Sequence, residues 1–179
     1  ESPMPPAEIL ANLRRYLPED IGIYSCREVS PRFHARLNAR EKTYVYRIWN
    51  SEAPCVFERR FVTVMPERLD VEAMNRAGAR LVGRHDFSAF RGNPKMKKST
   101  VRELTALTVT RQGEEIVLRF TGNGFLYNMV RIIAGTLLKV GTGEWEPEHV
   151  KEVLEARNRK EAGQTAPAKG LTLVGIEYE

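Results

Sequence analysis

Gly122-Asn-Gly-Phe-Leu-Tyr-Asn-Met-Val-Arg-Ile-Ile-Ala-Gly-Thr-Leu-Leu-Lys139 decides how the rest of this chain is read. Leu126, Met129, Val130, Ile133, Leu137 and Leu138 recur at helical spacing, so the segment is a turn that leads into a helix. Ile132 and Ala134 leave little of its circumference polar, which marks a central, buried helix. Arg131 nevertheless sits in its middle, with no other charge between Arg119 and Lys139. A guanidinium keeps its proton, so it must reach water or meet an anion. Two readings stay open on these residues alone. Arg131 snorkels to the surface along its own stem, or it stands at the floor of a cleft and faces a carboxylate or a phosphate.

Upstream of this helix, Val101 to Arg111 and Glu115 to Thr121 read as an antiparallel hairpin turning across Gln112-Gly113. Glu41 to Trp49 is a strand by alternation, with Tyr44, Tyr46 and Ile48 on one face and Thr43, Val45, Arg47 and Trp49 on the other. At least one of Tyr44 and Tyr46 is then expected in the core. Asp70 caps a helix to about Val82 that turns Val71, Met74, Ala77 and Leu81 inward, with Gly83 at its left-handed end. Ala7 to Tyr16 is a short amphipathic helix, and Pro147 opens another from Glu146 to about Arg157. Ile21 to Val29, Phe61 to Met65 and Leu171 to Tyr178 read as strands, and His85 to Arg91 as a loop or a short helical turn. Strands and helices mix without βαβ alternation, repeat or linker. The expectation is one domain over residues 1–179, α+β, with a mainly antiparallel sheet and helices packed on one face.

The 179 residues are 42% hydrophobic and 28% charged, which excludes a disordered chain. The net charge of +5 suits an anionic partner. Cys26 and Cys55 form no C-x-x-C pair, and without a secretory signal they point to the reducing cytoplasm. His34, His85 and His149 have no metal-binding spacing, so no metal site is expected. No apolar run is long enough to span a membrane.

Basic residues gather twice. Arg32, Arg36, Arg40, Lys42 and Arg47 interleave with Phe33, Tyr44, Tyr46 and Trp49; Arg91 is followed by Lys95, Lys97, Lys98 and Arg102. Each cluster is either a solvated edge or loop or a track for a phosphate backbone whose neighbouring aromatics stack on unpaired bases. Catalytic templates fail: there is no Walker loop, no G-x-S-x-G, and Gly122-Asn123-Gly124 lacks the third glycine and the βαβ setting of a dinucleotide site. Asp20, Asp70 and Asp86 all have turn or cap explanations.

Four collinear segments stand out: Phe33-His-Ala-Arg36 with Lys42-Thr-Tyr-Val-Tyr-Arg-Ile-Trp-Asn50; Gly83-Arg-His-Asp-Phe-Ser-Ala-Phe-Arg91; Gly124 to Gly141; and Thr165-Ala-Pro-Ala-Lys-Gly-Leu-Thr-Leu173. Taken together they resemble the tRNA pseudouridine synthase A family. The resemblance covers nearly the whole chain and implies an isomerase with a pseudouridine-synthase-like fold and an RNA-binding cleft. Such enzymes turn uridine into pseudouridine in the anticodon stem-loop of tRNA, as homodimers, without metal or organic cofactor. Matched by position, Tyr44 is the active-site Tyr that contacts uracil, Arg131 the partner of the nucleophilic Asp, and Leu171 an apolar wall of the uracil pocket. Arg36 and Arg91 fall near the tRNA. His34 keeps a motif position, as an RNA contact or a structural hydrogen-bonder, and Lys95, Lys97 and Lys98 extend the RNA-binding surface. The family's nucleophilic Asp belongs to a Gly-Arg-Thr-Asp motif that these residues do not contain. The chain is therefore expected to be a C-terminal portion, inactive by itself. The alternative is a non-catalytic RNA-binding α+β domain, and a third reading is a protein-interaction domain with a basic surface.

Overall fold

The computed structural model describes residues 2–95 and 98–178. It falls into two compact units, Glu1–Asn38 and Ala39–Glu179. In the first, Pro5 and Pro6 preset the opening turn of helix α1 (Pro6–Tyr16), and Glu8 and Ile9 donate backbone hydrogen bonds to the Pro5 carbonyl. The stretch from Ile21 to Val29 pairs with no strand. Arg14 of α1 instead takes up the carbonyls of Ile23 and Tyr24, each at 2.9 Å, the acceptors a ladder would have used.

The larger unit carries a sheet in the order β2-β1-β5-β4-β3, with β6 alongside β1. Its strands are β1 (Glu41–Trp49), β2 (Thr63–Val64), β3 (Gly83–Asp86), β4 (Val101–Gln112), β5 (Glu115–Gly122) and β6 (Leu171–Glu177). All pairs are antiparallel except β1 with β2. Three helices, α2 (Val71–Ala79), α3 (Met129–Gly141) and α4 (His149–Ala156), complete this unit. The mainly antiparallel sheet with helices on one side is the α+β architecture expected.

The pairing register explains the core. Tyr44 lies opposite Phe120, Tyr46 opposite Leu118 and Ile48 opposite Ile116, so one face of β1 and β5 is continuously apolar. Leu107 and Val109 of β4 extend it, and Met74, Ala77, Met129, Ile132, Ile133 and Leu137 of the helices close over it. Tyr46 is fully buried while Tyr44 is only half-buried, so the pair divides between core and rim. On the opposite face, Arg47 is ion-paired with both Glu58 and Glu115.

Several boundaries shift for local reasons. The hairpin turns at Gly113-Glu114, because Gly113 is the residue that adopts positive φ, 58°. The Asp70 carboxylate caps α2 through the Ala73 N–H at 2.8 Å, as expected. The helix stops at Ala79, however, and Gly83, at φ 109°, starts strand β3 instead of ending the helix. Strand β3 reads Gly-Arg-His-Asp and has no apolar alternation; its pairing with β4 holds it. Among the described residues, no helix is long and apolar enough to cross a membrane.

Candidate active site

Hairpin β4–β5 delivers the chain to the start of α3. Phe125, in the intervening turn, sets its ring edge-on to Tyr44, with centroids 5.0 Å apart. Asn128, just before the helix, is left-handed at φ 59°, and its carbonyl accepts the N–H of Ile132 at 2.9 Å. Arg131 is half-buried one turn into α3. Its Nε donates to the carbonyl of Ala166 at 2.7 Å and its Nη1 to Oδ1 of Asn128 at 3.1 Å. The backbone carbonyl of Arg131 in turn accepts the N–H of Ala166 at 3.1 Å. Both acceptors of the guanidinium are neutral, so its charge is not cancelled. N–H groups on Nη1 and Nη2 remain for an anion. Because Nε is occupied, a carboxylate can engage Arg131 only through the terminal nitrogens.

The segment that supplies Ala166 is clamped onto α3. Gly163 donates its N–H to Thr136 Oγ1 at 2.9 Å, and that hydroxyl donates to the Ile132 carbonyl at 2.8 Å. The backbone of Gln164 lies so close to Gly135 that a side chain there would collide with the Gln164 carbonyl. Arg159 closes the loop on itself, donating to the carbonyls of Ala162 and Gly163 and to Thr165 Oγ1 at 3.0–3.3 Å. Further along, the buried Tyr46 hydroxyl donates to the Pro167 carbonyl at 2.9 Å and shares a 2.7 Å hydrogen bond with Thr63 Oγ1. Burial pushes the Tyr46 phenol up, partly offset by Thr63 and by the positive charge of Arg131. These ties lead into β6, where Leu171 pairs with Tyr46 and Leu173 with Tyr44. Tyr44, Phe125 and Leu171 all pack, half-buried, against the same core. Tyr44 brings to this apolar rim a phenol hydroxyl that hydrogen-bonds to no described residue, and Arg131, tied through Ala166 to the segment that leads into β6, carries a charge that neither of its two acceptors cancels.

The sequence has relatives. The family model described as tRNA pseudouridine synthase matches residues 77–179. A tRNA pseudouridine synthase A of Acetivibrio thermocellus is 44% identical over 166 residues, which is 93% of this chain and 68% of that protein. A tRNA pseudouridine synthase A 2 of Bacillus cereus is 43% identical with the same coverage. That of Pelobacter propionicus is 43% identical over 98% of this chain and 72% of its own length. The chain belongs to the tRNA pseudouridine synthase family. It is thereby placed among the isomerases.

Around this family core, the expected basic residues divide into three groups. The Arg91 segment is held against the start of α3, where the N–H of Gly92 donates to the Tyr127 carbonyl at 2.8 Å. The loop carrying it is closed at its base by Asp86, whose Oδ1 accepts from the Ser88 N–H at 3.0 Å and from the hydroxyls of Ser88 and Thr100, both at 2.6 Å. Desolvation pushes the Asp86 carboxyl up, but the hydrogen bonds from Ser88 and Thr100 and the charge of Arg157 outweigh it and leave the acid below its usual range. Lys95 and Lys98 are exposed on that loop, and Lys97 lies outside the described residues. His34 and Arg36 belong to the N-terminal unit. There the His34 Nδ1 accepts the N–H groups of Arg36 and Leu37 at 3.2 and 3.3 Å, a structural use of the ring.

Sequence reasoning missed Asn128, Ala166, Thr136, Arg159 and the Tyr46–Thr63 pair. Only Gly135 and Gly163 hinted that two backbones meet there. Two open clefts lie elsewhere, and neither is lined by Tyr44, Arg131 or Leu171. One, of about 1260 Å³, spans the far end of α3 between Asp70 and Gly143; the other, of about 380 Å³, lies beside Asp86, Lys151 and Arg157. Among the described residues, no three His, Cys, Asp or Glu side chains form a metal-binding group.

Proposed function

We propose that this protein isomerises uridine to pseudouridine in the anticodon stem-loop of tRNA, working in the cytoplasm as a homodimer. The reaction breaks the bond from ribose to the uracil nitrogen and forms one to C5, while a proton leaves C5 and one is gained at nitrogen. It is redox-neutral, so the proposal invokes no cofactor. The target base must leave its stack, at a cost of a few kcal/mol that contacts along the RNA have to supply. In this reading Arg131 holds and orients the nucleophilic carboxylate, which the residues of this chain do not supply. Tyr44 meets the uracil and assists removal of the C5 proton, and Leu171 walls the base pocket. Arg36, Arg91, His34, Lys95, Lys97 and Lys98 bind the RNA, with the long cations on its phosphates.

The observation that carries this reading is Arg131 itself: a half-buried residue whose guanidinium is held by two neutral acceptors, with terminal N–H groups left for an anion. The experiment incubates the complete product of this gene with unmodified tRNA and maps pseudouridine by sequencing. The expected product is pseudouridine confined to the anticodon arm, and none from residues 1–179 alone. Folded full-length protein that binds tRNA in a salt-dependent way yet forms no pseudouridine would instead establish the non-catalytic RNA-binding reading. Modification outside the anticodon arm would overturn the proposed target.

A further inference from the structure

Arg131 depends on a neighbour that has no chemistry of its own. A single hydrogen bond from Nε to the Ala166 carbonyl leaves the guanidinium plane free to rock about the end of a flexible stem. The second, from Nη1 to Oδ1 of Asn128 at 3.1 Å, comes from a different direction and fixes the plane. Asn128 is suited to this task in three ways. Its amide is neutral, so it orients the guanidinium without cancelling the charge that a carboxylate must find there. It tolerates the left-handed backbone at φ 59° that most side chains resist, and that conformation sets where its Oδ1 points. It is also braced from behind, since a Cβ built on Gly92 would come within 2.9 Å of the Asn128 Cβ.

We propose that Asn128 is the positioning residue for Arg131, aiming its remaining terminal N–H groups at the nucleophilic carboxylate while the loop bearing Arg91 braces it. This rests on the reading of Arg131 given above, and the test separates the two. Substitution can divide the two properties of Asn128. Asn128→Gly keeps the left-handed backbone and removes the acceptor. Asn128→Asp keeps an acceptor but adds a charge that pairs with Arg131 and competes for it.

Steady-state kinetics on unmodified tRNA would compare the full-length wild type with Asn128→Gly, Asn128→Asp, Arg131→Lys and the Asn128→Gly/Arg131→Lys double variant. Misplacing a catalytic partner by about 1 Å can cost about a hundredfold. The expected result for Asn128→Gly is a fall in kcat of about tenfold to a hundredfold with KM within about twofold. Asn128→Asp should fall further. Added to Arg131→Lys, Asn128→Gly should cost nothing more, because the group it aimed is gone. Wild-type kcat in Asn128→Gly, with Arg131→Lys impaired, overturns the inference and leaves the role of Arg131 standing. An equal loss in both backgrounds also overturns it, because that is the mark of a merely structural residue. Wild-type activity in Arg131→Lys sinks both ideas. Should Asn128→Gly melt below the assay temperature, Asn128→Asp carries the same comparison: a kcat loss at constant KM supports the inference, and wild-type kcat overturns it.

Discussion

Strand β1 separates two arginines that the fold treats in opposite ways. Arg47, on the face away from the helices, meets two carboxylates, Glu58 and Glu115. The hydrogen bond that Arg47 Nε donates to Glu115 is the largest of the effects that raise its pKa, so its charge is fully spoken for. Among the described residues, Arg131, over the helix-covered face, meets only the Ala166 carbonyl and the Asn128 amide. Both residues are half-buried, but one is neutralised and the other is only held. A neutralised arginine can contribute to stability and has nothing left to offer a ligand. A held one keeps its charge and its remaining terminal N–H groups for a ligand.

The contrast can be broken by experiment. The largest effect is expected from Arg131→Ala in the full-length protein: pseudouridine formation should fall by about a hundredfold or more, with the melting temperature little changed. An intact rate would erase the distinction between the two arginines. Next, Gly135→Ala forces a methyl group into the Gln164 carbonyl and should cost about 2–3 kcal/mol in urea unfolding. It should also loosen the segment that presents Ala166 to Arg131, seen as faster amide exchange at Gly163 and Ala166. Tyr46→Phe strands Thr63 Oγ1 and the Pro167 carbonyl and should cost about 1–2 kcal/mol in the same assay. The smallest effect belongs to Arg47→Ala. Its partners are partly exposed, so the loss should stay within about 1 kcal/mol, shrink in high salt, and leave turnover unchanged. A large activity loss there would return Arg47 to the RNA-binding track.

Strand β1 was legible because alternation over Glu41–Trp49 is long and its apolar face unbroken, and the Asp70 cap was legible because a cap is a local device. Strand β3 and the Ile21–Val29 stretch failed in opposite senses. The first has no pattern but finds a ladder on β4; the second has a pattern but loses its carbonyls to Arg14. Pairing is a property of neighbours, and a strand's neighbours are distant in sequence.

The same division runs through the candidate site. The sequence by itself determined that α3 is a buried helix with a charge, Arg131, in its apolar run, that Tyr44 and Tyr46 share a face, and that the chain resembles a family of tRNA-modifying isomerases. These follow from residue type and spacing, which are local. Only the tertiary structure decided that Tyr46 is core while Tyr44 stands at the rim, and that Arg131 is held by a backbone carbonyl from Ala166 and an amide from Asn128. A carbonyl is present in every residue and an asparagine is unremarkable in a turn. What makes these two significant is where loop closure and close glycine packing put them, and that is settled only when the whole unit folds.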